Sequence, residues 1–80
     1  MITVWLVFSF FGEVVRVDQM ANLNLCVTSA RNAQIFYDAT WRPLPDYTGR
    51  IVRRADIGID CYWGPRPSLH DRLDEPGVRT

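Results

Sequence analysis

The sequence predicts an α+β domain: a small antiparallel sheet of three strands, four if residues 50–54 join it, with one helix packed on one face. Three observations carry that expectation. An apolar run at 2–11 meets a glycine and is followed by a second β-branched stretch. Apolar residues then recur at three- and four-residue steps from Leu23 to Tyr37, the period of a helix with one buried stripe. The segment 56–63 alternates apolar and polar residues, the period of a half-buried strand.

In the first strand Ile2, Val4, Leu6, Phe8 and Phe10 share one face, and Trp5, Val7 and Phe11 share the other with Thr3 and Ser9. A strand apolar on both faces is central in its sheet or covered on both sides. Gly12-Glu13 suits a two-residue hairpin loop of type II′, which takes Gly first. Val14 to Asp18 returns as a second strand. Val15 and Val17 alternate there with Val14, Arg16 and Asp18, the pattern of an edge with one wet face. Asn22 suits a helix N-cap, because its side chain can accept from a free N–H in the first turn. Beyond it Leu23, Cys26, Val27, Ala30, Ala33 and Tyr37 form the stripe. The small Ala30 and Ala33 let the helix lie close to a sheet. Residues 34–41 either finish this helix or, through Ile35-Phe36-Tyr37, start a strand.

Residues 41–55 hold two prolines and Gly49 and read as loop. A connection that long is a candidate for function. Within it 50–54 reads as a short strand or a single turn. In the last strand Ile57, Ile59, Cys61 and Trp63 are expected inward, and Asp56, Gly58, Asp60 and Tyr62 outward, with the strand paired beside the first. Residues 1–64 then make one domain, and the polar, proline-bearing stretch 65–80 reads as an extended or disordered tail.

Eighty residues allow one core at most and no large enclosed pocket. Nine acids balance nine arginines, so no overall positive field draws nucleic acid or a membrane surface. Lysine is absent, the residue usage of a GC-rich genome, bacterial or phage. The apolar run at 2–11 is too short to span a bilayer and lacks the flanks of an export signal. Cys26 and Cys61 lie 35 positions apart in no zinc or redox spacing. They are either two buried thiols, which the lack of a secretion signal favours, or a disulfide, if their Cα atoms come within about 7 Å.

Chemistry is sparse. His70, the lone histidine, sits in the polar tail beside Ser68 and Asp71, which is no triad because the three come from one flexible segment. There is no phosphate loop, dinucleotide fingerprint or zinc helix. No catalytic residue, cofactor or metal site is therefore expected, and no small-molecule substrate. Two charge features remain. Arg42, Arg50, Arg53 and Arg54 face only Asp46 in the loop, and an acidic stretch from Asp56 to Glu75 follows. The ordinary explanation is a solvated surface whose charges pair among themselves. The sharper one is a two-signed protein interface, with Arg50, Arg53, Arg54, Asp56 and Asp60 as contacts and Trp41 and Tyr47 as anchors, since arginine and aromatic residues dominate binding hot spots.

The order VWLVFSFFGEVVRVDQM at 4–20, a helix carrying Cys26, and IDCYWG at 59–64 resembles very short prophage-encoded proteins. Those run as apolar strand, hairpin, Cys-bearing helix and last strand with a second Cys. The likeness covers 2–40 and 56–64, omits the arginine-rich loop, and transfers no functional residue. It implies a non-enzymatic inhibitor that binds a host protein or ribonucleoprotein complex in the cytoplasm of an infected bacterium, anti-CRISPR proteins being one such class. Two alternatives stand beside it. One is a minor virion or assembly protein, with a homodimer among its forms. The other is a small exported domain closed by a Cys26–Cys61 bond.

Overall fold

The first strand, β1 (Val4–Phe10), is the centre of the sheet in the computed structural model, which describes residues 3–73. Its neighbours are β2 (Glu13–Met20) and β5 (Ile57–Trp63), both antiparallel, in the order β2-β1-β5. The helix α1 (Leu23–Thr40) crosses one face. A separate two-stranded sheet, β3 (Leu44–Pro45) with β4 (Ile51–Val52), and a 3₁₀ turn at Arg54–Asp56 fill the long connection. The fold is the small α+β architecture read from the sequence. Residues 50–54 do not extend the main sheet: Ile51 pairs with Pro45 and Val52 with Leu44.

Both explanations of the doubly apolar first strand hold at once. On one face Val4, Leu6 and Phe8 join Cys26, Ala30, Val52, Ile57 and Ile59 in the main core. On the other, Val7, Val14 and Tyr62 form a second, smaller core roofed by Leu73. That roof belongs to the segment expected as tail. Over 65–73 it is a strap laid back across the sheet. His70 N–H donates to the Val14 carbonyl, and the N–H groups of Val14 and Leu73 donate to the carbonyls of Asp71 and Gly12. The Trp5 indole fixes its start by donating to the Gly64 carbonyl at 2.9 Å. Residues 74–80 of the expected tail lie outside the described residues.

Three local expectations change. The hairpin loop is Phe11-Gly12, not Gly12-Glu13, and both residues have positive φ (54° and 80°), the requirement of a type I′ turn. A bulky Phe is strained there. It is held because its N–H donates to the Asp56 carbonyl and the Arg50 guanidinium lies 3.7 Å above its ring. Second, a β-bulge shifts the β1–β2 register after Phe8, where Arg16 opposes Phe8 but Val14 opposes Ser9. Val15 is the extra residue, so Val14 and Val17 share the second core while Val15 packs on the first. Third, Tyr62, expected outward, is buried, and Trp63, expected inward, is largely exposed. The strap turns the outward face of β5 into a second interior.

The helix starts where expected, with the Asn22 side chain accepting from the Leu25 N–H. Residues 34–40 finish it rather than start a strand. Cys26 and Ala30 are buried, while Leu23 and Val27 of the expected stripe remain exposed. The stripe leans toward Ala33, Tyr37 and Trp41 instead, where Tyr37 meets Phe8 and Trp41 meets Phe10 edge to face. Cys26 of α1 and Cys61 of β5 are joined in a disulfide with Cα atoms 6.1 Å apart, so the free-thiol preference is not what the structure carries. No helix among the described residues is long and apolar enough to cross a membrane.

Candidate functional site

Three segments distant in sequence converge at the hairpin end: the Phe11-Gly12 turn, the β3–β4 loop and the strap. Glu13 is their common point. One of its carboxylate oxygens accepts from the Tyr47 hydroxyl at 2.9 Å and lies 2.5 Å from His70 Nδ1. The Tyr47 and His70 rings meet edge to face, 5.3 Å between centroids. His70 itself has a positive φ of 69°. That backbone is uncommon for histidine, and it serves to aim the ring back at Glu13 while its N–H pairs with Val14.

The electrostatics follow from these bonds. The hydrogen bond from His70, and next that from Tyr47, holds the Glu13 carboxyl below its ordinary pKa. The same shared oxygen raises the Tyr47 hydroxyl above its ordinary value, because ionising it would place two anions together. Asp46 is likewise lowered, first by the Thr48 hydroxyl it accepts from. Its carboxylate also accepts from the backbone N–H groups of Thr48 and Arg50, which closes the β3–β4 turn. Beside this lies a shallow cleft of about 110 Å³, walled by Phe10, Phe11, Glu13, Tyr47, Arg50 and Arg72.

The residues singled out from the sequence divide into four places. Tyr47 and Arg50 belong to this cluster. Tyr47 is 72% exposed despite its bond to Glu13, so its ring is presented outward and fixed. Arg53 and Asp56 frame the 3₁₀ turn, where the Arg53 N–H donates to the Asp56 carboxylate. Arg54 beside them points to the helix, with Nε 2.7 Å from Asp38 Oδ1. Asp60 lies mid-strand on β5 opposite Val7, away from the turn. Trp41 is half-buried in the main core, and its indole donates to the Val52 carbonyl at 3.1 Å. It anchors the hairpin to the domain from inside.

Glu13 and His70 are the site residues that sequence reasoning missed. They are 57 positions apart, and neither lies in a motif. The only signal was indirect: a long loop needs something to hold it, and a lone histidine near prolines is one candidate. His70 bonds to Glu13, Thr48 bonds to Asp46, and both cysteines are bonded to each other. Ser68 and Asp71 close a local turn, the Ser68 N–H donating to the Asp71 carboxylate. Among the described residues no group of three or more His, Cys, Asp or Glu side chains could hold a metal ion. What the arrangement does chemically is clasp: it turns a mobile kind of segment into a fixed surface. Searches against protein-family models, curated proteins and solved structures find no match to this chain.

Proposed function

We propose that this chain is a non-enzymatic protein-binding module whose binding face is the β3–β4 hairpin with the adjoining 3₁₀ turn. The observation that carries this reading is the hairpin's surface. Tyr47 and Ile51 are exposed on it, and Ile51 shares its outer face with Pro45 and, two residues on, with exposed Arg53. Aromatic, aliphatic and arginine side chains in one small area are the composition of a binding hot spot. The face is also pre-organised. Trp41, Arg50 and Tyr47 each tie it to a different part of the domain, so little ordering entropy is lost on association.

The resemblance to short prophage-encoded proteins gives this module its proposed setting: a stoichiometric inhibitor of a host defence complex, in the manner of anti-CRISPR proteins, acting in the cytoplasm of an infected bacterium. The test is phage challenge of a bacterium carrying an active CRISPR system, with and without the protein. Restored plaquing is the expected result, lost on Arg53→Glu. Plaquing that stays blocked with the folded protein present removes the anti-CRISPR assignment. Plaquing restored equally by wild type and Arg53→Glu removes the binding face.

The Cys26–Cys61 bond favours a second reading, a small domain of an oxidising compartment, since cytoplasmic glutathione and thioredoxin keep thiols reduced. Counting free thiols in protein taken directly from its native host separates the two. Two free thiols end the exported reading, and none ends the cytoplasmic one.

A further inference from the structure

The Cys26–Cys61 bond joins two sulfurs in unlike surroundings. Cys26 is 0% exposed within the main core. Cys61 is only partly buried, and with Val27, Ala30, Arg31, Gln34 and Ile59 it borders a groove of about 290 Å³ between α1 and β5. Arg31 is exposed there. Asp60 also borders the groove, but it pairs with Val7 of the second core, so its side chain is on the strap's face of the sheet. The charge on the helix side of the groove is therefore positive.

Attack on a disulfide depends on which sulfur an incoming thiolate can reach and on how readily the other leaves. Here reach favours Cys61. Departure favours Cys26. It lies in the first turn of α1, which holds no acidic residue, and a helix N-terminus stabilises a thiolate. Over residues 23–28 Cys26 is also the one buried residue, so drawing it away from Cys61 disturbs only the start of the helix.

We propose that Cys61 is a modification site for a small anionic thiol of the glutathione type. The incoming thiolate attacks Cys61 Sγ from the groove. The bond to Cys26 breaks, a new S–S bond joins Cys61 to the attacking sulfur, and Cys26 leaves as a thiolate that takes a proton from water. One disulfide is exchanged for another, so no separate oxidant or reductant is consumed. The Trp5 carbonyl, 3.7 Å from Cys26 Sγ, accepts the new S–H. Arg31 attracts the carboxylates of the incoming thiol. The site shares no residue with the hairpin face proposed above, and either assignment can fail alone.

The test is brief exposure of the folded, oxidised full chain to reduced glutathione, followed by acid quenching, alkylation and peptide mass spectrometry. The expected product carries glutathione on Cys61 and the alkyl label on Cys26, in about tenfold or greater excess over the reverse. Arg31→Glu, an exposed change, should slow glutathione several-fold more than it slows the uncharged thiol 2-mercaptoethanol, and added salt should shrink that difference. Glutathione mainly on Cys26 overturns the proposal. So does equal labelling of both cysteines, the mark of attack through an unfolded chain, or no adduct on either. A glutathione rate untouched by Arg31→Glu overturns it as well.

Discussion

Glu13 joins the turn, the hairpin and the strap through one carboxylate, and its ionisation carries a direct consequence. Its folded pKa is depressed by the bonds to His70 and Tyr47. A depressed carboxylate contributes stability that is full above its unfolded pKa and lost as pH falls through the folded one. Asp46, depressed by Thr48, acts in the same direction. Acidification below the ordinary carboxylate range is therefore expected to release the strap, and Trp5, whose indole donates to the Gly64 carbonyl just ahead of the strap, reports it by fluorescence. Glu13→Gln should lack most of that step; superimposable acid limbs for the two proteins contradict the clasp. Gly58 gives a second test at this scale. A Cβ there would press into the Ser9 hydroxyl across the β1–β5 pair, and Ser9 is buried with little room to turn. Gly58→Ala should cost about 1–3 kcal/mol in urea unfolding. Most of that cost should return when Ser9→Ala is added, and an equal cost in both backgrounds would rule the contact out.

Among the elements, α1 is fixed by its cap and its seam. Asn22→Ala removes the acceptor for the Leu25 N–H and should lower stability by about 1 kcal/mol, read from the urea midpoint. The helix, its cap and the three main strands were legible because each is written as a local period or a local cap. The bulge at Val15 was not, since a single extra residue reverses the parity of the alternation without altering composition. Nor was the Phe11-Gly12 turn. Its type depends on Arg50 and Asp56, which hold a bulky residue at positive φ from far along the chain. Tyr62 and Trp63 exchanged their expected environments because the strap, polar by composition, nonetheless brings Leu73 over the second face. At the site, Tyr47 and Arg50 were visible as hot-spot residue types on a long loop. Trp41 looked the same and turned inward, for its place at the end of α1 sets it edge to face against Tyr37 and Phe10. Glu13 and His70 met only through tertiary folding.

At the scale of the whole molecule, eighty residues support two small cores by covering both faces of one sheet, with α1 on the first and the strap on the second. A chain this short has little apolar surface to spare, and the Cys26–Cys61 bond ties the helix to β5. Replacing both cysteines by alanine should cost about 2–4 kcal/mol of unfolding free energy; an unchanged urea midpoint would mean the bond adds nothing to the fold. The same framework presents the clasped hairpin as the face proposed above for another protein. The clasped hairpin as a binding face is tested most directly by affinity capture from the native host, using the wild-type chain beside a folded Tyr47→Ala/Arg53→Glu variant. The result expected is one host protein or complex retained in near one-to-one amount by the wild type and lost with the variant. Equal retention by both would contradict it.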